Sequence, residues 1–306
     1  MIEAHPAAGL SMRDDMQTKS RPPAKVVETA YAKVNLSLDV LGLRPDGYHE
    51  LRSVMQTVSL HDSLAFQESA PPRVDEVSSH DYSLIDRAIL QFKVAAKRED
   101  RVISHVLVKR IPVAAGLGGG SSDAAAALRG ANRLLGQPLT LSRLTRLAAA
   151  LGSDVPFFVR GGTALVEGRG ERIVSLQPAP LRWFVLVGGD IPVSTARVFE
   201  EFHELDGGDG TSTDRVLESL RSGGMTTGRN DLWRASLRAY PEIDGWYAPL
   251  AERVSPERVM LSGSGGTFFS IFETVDEARH VYAALRGFVP WAYVASSVGE
   301  IQFKGL

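Results

Sequence analysis

The chain has 306 residues and contains no cysteine. This absence excludes disulfides, thiolate metal sites and cysteine nucleophiles, and it favours a reducing compartment. There is also no run of about eighteen apolar residues, so we expect no membrane span. Residues 1–24 hold prolines and acids but lack the apolar core of a secretory signal. We therefore expect a cytoplasmic protein whose residues 1–24 form a flexible N-terminal extension.

The chain also has no excess of basic residues. Lysine and arginine total 34 against 36 aspartates and glutamates, which gives a formal net charge of −2. General nucleic-acid binders carry a basic surplus, so we expect no nucleic-acid partner. Lysine itself is scarce, with only seven in the chain. The hydrophobic fraction of 44% is that of a globular protein, and the length allows one large domain or two.

The predicted elements mix strands and helices without a regular βαβ repeat, which indicates an α+β fold. Apolar and polar residues alternate over residues 31–40, which predicts a half-buried strand with one polar face. Ser83, followed by Asp86, predicts the start of a helix. A helix is predicted from Ser194 to Leu205.

The glycine-rich segment of residues 111–123 lies between a predicted strand and an alanine-rich helix. Glycines let the backbone approach a ligand closely, and a helix N-terminus adds unpaired N–H donors. The segment therefore predicts a phosphate-binding loop. It is not a Walker A loop, because no Gly-Lys-Ser or Gly-Lys-Thr closes it. The alternative is a plain connector in which Ser121 or Ser122 caps the helix.

Four weaker signals accompany this loop. Asp154 precedes an apolar stretch, which makes it a candidate base or metal ligand, although it could simply cap a short helix. Lys33 lies in the middle of the first strand, where a lysine is usually exposed. Residues 261–267 form a second glycine-rich loop or a tight hairpin. Tyr48 and His49 follow a turn and offer rings for stacking or polar contacts.

The order of these signals along the chain resembles the GHMP kinase superfamily. Within it, the sequence is similar to the family of 4-diphosphocytidyl-2-C-methyl-D-erythritol kinases over about residues 28–298. The segments that carry the resemblance are residues 32–36 (AKVNL), 44–51 (RPDGYHEL), 151–158 (LGSDVPFF), 161–164 (GGTA), 168–171 (GRGE) and 229–232 (RNDL).

The resemblance implies a two-lobed fold with the active site in the cleft between the lobes. The N-terminal, ATP-binding domain would comprise residues 25–175 and the C-terminal domain residues 176–306. It also implies transfer of the ATP γ-phosphoryl group to the 2-hydroxyl of 4-diphosphocytidyl-2-C-methyl-D-erythritol, with ADP as the second product, in the non-mevalonate pathway of isoprenoid biosynthesis. Mg²⁺ is expected with the nucleotide, without assigned protein ligands.

The same resemblance implies roles for individual residues. Asp154 matches the catalytic base and Lys33 the lysine that positions it. The positions that match the ATP phosphate loop are Pro112, Val113, Ala114, Ala115, Gly116, Leu117, Gly118, Gly119, Gly120, Ser121 and Ser122. The positions assigned to the acceptor substrate are Asn35, Tyr48, His49, Thr195, Phe199, Gly263, Ser264 and Gly265.

We expect Tyr48 and Phe199 to hold the cytosine ring between them, with His49 at its edge. Thr195 and Phe199 are four residues apart and would share a helix face. Met55, Ser83 and Trp233 depart from residues common in the family, which leaves the details of the pockets open.

Two other functions remain possible from the sequence. One is another small-alcohol kinase of the superfamily, of the mevalonate or homoserine type, against which the segment 47–51 argues. The other is a nucleotide-binding protein of this fold without turnover. The presence of both Lys33 and Asp154 argues against it.

Overall fold

The computed structural model describes residues 25–69 and 83–301; the predicted extension over residues 1–24 lies outside the described residues. The strands are β1 (Lys25–Leu43), β2 (His49–Ser69), β3 (Val102–Val108), β4 (Thr163–Gly168), β5 (Arg172–Ser175), β6 (Trp183–Gly188), β7 (Met260–Ser262), β8 (Thr267–Phe272) and β9 (Trp291–Ser296). The helices are α1 (Leu84–Ala96), α2 (Gly119–Leu134), α3 (Leu141–Leu151), α4 (Val155–Arg160), α5 (Thr195–Glu200), α6 (Thr211–Arg221), α7 (Trp233–Ala239), α8 (Asp244–Val254) and α9 (Val275–Leu285).

The first sheet has the strand order β1-β2-β4-β5, and β3 also pairs with β2. Every pairing in it is antiparallel. The helices α1 to α4 pack against this sheet around one apolar cluster, to which α2 contributes an alanine-rich face. Small alanine side chains let α2 lie close to the sheet, so the loop that precedes it is held at the sheet edge.

Several helices begin where a side chain can take up unpaired backbone N–H groups. Ser83 and Asp86 form the predicted capping box of α1. Thr140 caps α3, and Thr274 forms a second capping box at α9. The predicted helix from Ser194 to Leu205 is shorter than expected, because α5 ends at Glu200.

The second sheet has the order β7-β8-β6-β9 and is antiparallel throughout. Helices α5, α7, α8 and α9 contribute to its apolar core. A third apolar cluster joins the two sheets; in it the β1 residues Val34 and Leu36 lie with Phe184 of β6 and Phe269 of β8. Mixed sheets and helices of this arrangement confirm the predicted α+β class. The division of the chain at residues 175 and 176 stays a prediction.

The polar face of β1 is not exposed, contrary to the half-buried strand expected from its alternation. Lys33 is 3% exposed, and Asn35 and Asp39 are each 1% exposed. The second half of the chain covers this face: the backbone N–H of Thr213, on α6, donates to Asp39 Oδ2 at 2.8 Å. Burial of polar groups is tolerated when they are hydrogen-bonded. Asp39 Oδ2 meets this condition, whereas Asp39 Oδ1 is buried and has no hydrogen-bond partner among the described residues.

Within the described residues, no helix is long and apolar enough to cross a membrane.

Candidate active site

A cavity of about 520 Å³ lies between the glycine-rich loop before α2, the middle of β1, α5 and the second glycine loop. The predicted site residues that line it are Lys33, Asn35, Pro112, Val113, Ala114, Ala115, Gly116, Gly118, Gly119, Gly120, Ser121, Asp154, Thr195, Phe199, Gly263 and Ser264. The predicted residues outside its lining are Tyr48, His49, Leu117, Ser122 and Gly265. Residues distant in sequence thus meet at one cavity, while their individual roles stay predictions.

The carbonyl groups of the first glycine loop are held by surrounding protein. Ala115 O accepts from Thr267 Oγ1 at 2.6 Å, and Gly116 O accepts from Ser262 Oγ at 3.0 Å. Leu117 O accepts from the backbone N–H of Lys33 at 3.1 Å. The second glycine loop and β1 therefore fix the orientation of the peptide groups in the first.

The amides of the same loop are available for a ligand. Within residues 25–69 and 83–301, no protein group accepts a hydrogen bond from the N–H groups of residues 116–121. Gly116 has φ of +74°, and a Cβ there would lie 2.2 Å from Ser262 O, so only glycine fits. Aligned amides at a helix N-terminus form a favourable environment for an anion.

The residue that caps the start of α2 tests the alternative in which the loop is a plain connector capped by a serine. Its N-cap is Gly118, in the left-handed conformation, without a side-chain capping bond. Ser121 and Ser122 lie inside the helix rather than at the cap. The alternative in which either serine acts as the N-cap is therefore wrong.

Lys33 and Asp154 face each other at the floor of the cavity. Lys33 Nζ lies 3.9 Å from Asp154 Oδ2 and donates to Asn35 Oδ1 at 2.6 Å. Asn35 in turn donates to Ser53 Oγ at 2.8 Å, which fixes the amide orientation. Burial lowers the pKa of Lys33 from its ordinary value, and the charge of Asp154 opposes that shift.

Asp154 stands immediately before α4 but does not cap it through its side chain. The capping alternative is therefore not supported for this residue. The four residues that follow, 155–158, are buried in the first core, so the backbone at Asp154 is anchored. Its carboxylate is left to the cavity, with 33% of the side chain exposed.

The sequence reasoning missed a charged cluster beside the loop. Lys109 Nζ lies 2.6 Å from Asp62 Oδ2 and 2.7 Å from Asp123 Oδ2. Lys109 and Asp123 line the cavity. A Cβ at Gly119 would lie 2.9 Å from Lys109 Nζ, so a side chain there would displace the end of the lysine. The scarcity of lysine and the position of Lys109 directly before the loop were the available signals.

The aromatic residues at the opposite end are arranged differently from the expectation. His49, not Tyr48, stacks on Phe199, with ring centroids 4.9 Å apart and planes inclined by 20°. Tyr48 is 53% exposed and lies under the guanidinium of Arg169, 5.1 Å from ring centroid to Cζ. Tyr48 and Phe199 are therefore not paired as expected: Tyr48 lies in the turn, and His49, the first residue of β2, is the ring beside Phe199. Burial lowers the pKa of His49.

Arg169 is a second residue that the sequence reasoning did not assign. It lines the cavity, and its side chain makes no ion pair within 4.0 Å in the described part of the chain. The carboxylate of Asp46, whose pKa is lowered chiefly by Arg44, also interacts with the Arg169 charge over a longer distance. By contrast, the two lysines of the cavity are both paired with carboxylates. Arg169 lies in the segment 168–171, which carries part of the family resemblance, but no local pattern marks this arginine as a binding residue.

Thr195 and Phe199 both line the cavity, as expected for residues on one face of α5. Thr195 Oγ1 lies 2.8 Å from Ser264 Oγ, so α5 and the second glycine loop are linked at the cavity wall. Asn230 supports the same loop by donating to the carbonyls of Leu261 and Gly263, each at 2.8 Å. Residues 261–267 do form the turn of an antiparallel hairpin between β7 and β8, as the alternative expected, and this turn is also held in place at the cavity wall.

The described residues contain no group of three or more His, Asp or Glu side chains that could hold a metal ion. A protein cage for Mg²⁺ is therefore not present among them. An ion held mainly by nucleotide phosphates and water would not need one.

Comparisons with known proteins cover most of the chain. Residues 83–162 match the model of the GHMP kinases N terminal domain. The chain is 40% identical over 289 residues to a 4-diphosphocytidyl-2-C-methyl-D-erythritol kinase of Bacillus pumilus (strain SAFR-032), covering 90% of this chain and 98% of that protein. It is 37% identical over 285 residues to the protein of the same name from Bacillus cereus (strain AH187), with the same coverage.

This chain belongs to the 4-diphosphocytidyl-2-C-methyl-D-erythritol kinase family. A crystal structure of a 4-(cytidine 5'-diphospho)-2C-methyl-D-erythritol kinase agrees, with a TM-score of 0.75 and 33% identity over 90% of this chain and 100% of that one. A homoserine kinase from Cytophaga hutchinsonii has a TM-score of 0.66 at 17% identity, covering 97% of this chain and 98% of its own, and therefore shows the shared fold alone. The kinase activity and the GHMP fold expected from the sequence are confirmed.

Proposed function

We propose that this kinase transfers the γ-phosphoryl group of ATP to the 2-hydroxyl of 4-diphosphocytidyl-2-C-methyl-D-erythritol, with ADP as the second product. The observation that carries the proposal is the approach of Lys33 to Asp154, 3.9 Å apart, in the same cavity as the amide-lined loop. Family membership supplies the substrate class, since the relatives are named for this alcohol.

The loop of residues 112–122 binds the ATP phosphates. Thr267 and Ser262 donate to its carbonyl groups, and the N–H groups of residues 116–121 have no acceptor among the described residues, so these N–H groups can donate to phosphate oxygens. Mg²⁺ bound together with the nucleotide would supply positive charge that offsets the charge of the phosphates. Phosphoryl transfer depends mainly on such positioning and charge stabilisation.

Asp154 accepts the proton of the acceptor hydroxyl as the oxygen attacks phosphorus. Its carboxylate is not used in capping, and it remains accessible from the cavity. Lys33 stabilises the negative charge that develops at the acceptor oxygen, and Asn35 fixes the direction of the ammonium group. General base assistance of this kind contributes typically about 10²–10⁴-fold.

The cytidine diphosphate end of the substrate lies toward α5. The stacked rings of His49 and Phe199 offer a face for the cytosine. Thr195 and the second glycine loop, through Gly263 and Ser264, form the neighbouring wall, with Gly265 directly behind it in the chain. Arg169, which lacks an ion-pair partner among the described residues, suits the diphosphate.

The decisive experiment measures substrate-dependent ADP release by the purified protein. We expect efficient turnover with 4-diphosphocytidyl-2-C-methyl-D-erythritol and competition by cytidine diphosphate against that alcohol. Mevalonate and homoserine should be neither phosphorylated nor inhibitory. Efficient turnover of mevalonate, or a failure of cytidine nucleotides to compete, would replace this function with that of a generic small-alcohol kinase.

A further inference from the structure

Three charged side chains meet at the start of α2, outside the chemistry assigned to Lys33 and Asp154. Lys109, the residue that follows β3, bridges Asp62 of β2 and Asp123 of α2 at 2.6 and 2.7 Å. The carboxylates are 0% and 5% exposed, whereas 30% of the lysine side chain is exposed. The cluster therefore places one positive and two negative charges directly beside the phosphate loop when all three groups are ionised.

The two carboxylates of the cluster are not equivalent. Asp62 accepts from Lys109 through Oδ2, and its Oδ1 accepts from the backbone N–H groups of Arg110 and Ile111. Asp123 accepts only from Lys109, through Oδ2. Its Oδ1 is buried and has no hydrogen-bond partner among the described residues. Asp123 is thus the carboxylate whose negative charge is poorly supported by its surroundings.

If the loop binds phosphates, the carboxylate of Asp123 lies close to their negative charges and is repelled by them. It lines the same cavity as Gly119, Gly120 and Ser121, whose amides are free of protein acceptors. Lys109 can offset only one of the two carboxylates, so the cluster retains a negative charge. Like charges a few ångströms apart in a partly buried site disfavour each other, which favours protonation of the weaker acid.

We propose that Asp123 takes up a proton from solvent when nucleotide phosphates bind at the loop. The proton adds to the Asp123 carboxylate and comes from the buffer, and no covalent bond of the nucleotide changes. Protonated Asp123 leaves Lys109 shared between Asp62 and the phosphates, so Asp123 acts as a positioning residue for this lysine. The inference rests on the proposed binding of ATP at the loop.

The electrostatics of the protein point in the same direction. Burial raises the pKa of Asp123 to about 6, with Asp62 adding to the shift and Lys109 opposing it. At neutral pH the group is therefore mostly ionised but close to titration. Of the other charged groups nearby, Arg110 and His61 lie toward the solvent, 3.4 Å apart. The phosphates would add the charge needed to raise the pKa further.

The test is calorimetric titration of Mg²⁺-saturated ATP into the protein without acceptor alcohol, at pH 7.5, in two buffers with different ionisation enthalpies. The buffer dependence of the heat gives the number of protons taken up. We compare the wild type with Asp123→Asn, which preserves shape and the contact with Lys109. The difference between them cancels any proton that ATP itself exchanges. We expect the wild type to take up about 0.5–1 proton more than the variant.

The affinity for ATP should decrease as the pH rises. Because the complex binds the additional proton, the wild-type Kd for ATP should rise as pH increases from 6.5 to 8, by up to about tenfold per pH unit. The Asp123→Asn protein should show a flatter profile. Asp276→Asn is the matched control, because Asp276 is an exposed aspartate in the first turn of another helix. It should behave as the wild type does.

The outcomes separate this inference from the proposed function. If ATP binds to the wild type without excess proton uptake, or with a Kd that does not change over this pH range, the role of Asp123 is wrong while ATP binding stands. If ATP does not bind to the wild type at all, the proposed function itself fails. Should Asp123→Asn not fold, the wild-type pH profile alone decides, because a flat profile contradicts the proposal.

Discussion

Lys33 Nζ lies 3.9 Å from Asp154 Oδ2, beyond hydrogen-bonding distance, while it donates to Asn35 Oδ1 at 2.6 Å. The ammonium is thus directed by the amide and not locked onto the carboxylate. This leaves room for a substrate oxygen to contact both groups, which is the arrangement that a positioned base requires.

The first prediction concerns Asp154→Asn. The variant keeps the shape of the side chain but cannot accept a proton, so we expect kcat to fall by about 10²-fold or more with little change in ATP affinity. Steady-state kinetics and ATP titration check this. Ser153→Ala, one residue away and outside the cavity lining, is the control and should retain activity. Wild-type turnover by folded Asp154→Asn would exclude Asp154 as the base.

The second prediction concerns the phosphate loop. Gly119→Val would seem the obvious test, but φ at Gly119 lies outside the left-handed region, and a Cβ there meets Lys109 Nζ at 2.9 Å. That variant would disturb the charged cluster. Gly120 is better, because it lines the cavity and a Cβ there meets no protein atom within 4 Å. Gly120→Ala should therefore keep the fold and obstruct the nucleotide.

We expect Gly120→Ala to weaken ATP binding by about tenfold, or roughly 1.4 kcal/mol. Its melting temperature should not fall, because alanine is favoured over glycine in a helix by up to about 1 kcal/mol. Gly245→Ala is a matched control: Gly245 is in α8, and a Cβ there also meets nothing within 4 Å. It should match the stability of Gly120→Ala with unchanged ATP affinity. Equal ATP affinities in both variants would contradict the binding of phosphates by this loop.

Local signals predicted much of the fold. The pair Ser83 and Asp86 predicted the first residue of α1, because a capping box depends on residues within one turn. The glycine-rich segment predicted a loop that leads into a helix for the same reason. The burial of Lys33 and Asp39 was missed, since the residue that covers Asp39 is Thr213, far along the chain. The alternation of apolar and polar residues along β1 indicates which face is polar. It does not indicate which distant part of the chain packs on that face.

The site was predicted in part for a similar reason. Lys109 and Asp123 are 14 residues apart, and they meet because the fold brings the residue after β3 to the first turns of α2. His49 and Phe199 belong to different halves of the molecule, and which of two adjacent rings faces α5 depends on the register of the hairpin. No pattern in one sequence specifies that register to within one residue.

The third prediction concerns the aromatic pair. Phe199→Ala removes the ring that stacks on His49. Since stacking on an aromatic side chain contributes roughly 1–3 kcal/mol per base in single-strand binders, we expect the KM for the cytidylyl alcohol to rise by about one to two orders of magnitude. The KM for ATP should be nearly unchanged. Steady-state kinetics with each substrate varied in turn provides the measurement.

Tyr48→Ala gives a comparison within the same end of the site. Tyr48 packs under Arg169 and lies outside the cavity lining, so we expect a smaller effect than that of Phe199→Ala. If Tyr48→Ala impairs binding of the alcohol more than Phe199→Ala does, then Tyr48 stacks on the cytosine as the sequence suggested. In that case the hairpin rearranges when the substrate binds.

The last prediction concerns Arg169. Its guanidinium lies over Tyr48 at the cavity wall without an ion-pair partner in the described part of the chain, so an anionic group of the substrate can engage it. We expect Arg169→Ala to weaken binding of cytidine diphosphate by about tenfold or more, since a charge-assisted hydrogen bond contributes roughly 1.5–3 kcal/mol. Binding of cytidine, which has no phosphate, should change little.

Arg172→Ala is the control for this variant. Arg172 lies three residues further along the same hairpin, but it is paired with Glu50 at 2.6 Å and does not line the cavity. It should bind both ligands as the wild type does, and competition with the alcohol substrate measures each affinity. A parallel loss of cytidine and cytidine diphosphate binding in Arg169→Ala would show that the arginine only supports Tyr48. A selective loss of cytidine diphosphate binding would place the phosphates beside the guanidinium, because the two compounds differ only in the diphosphate group.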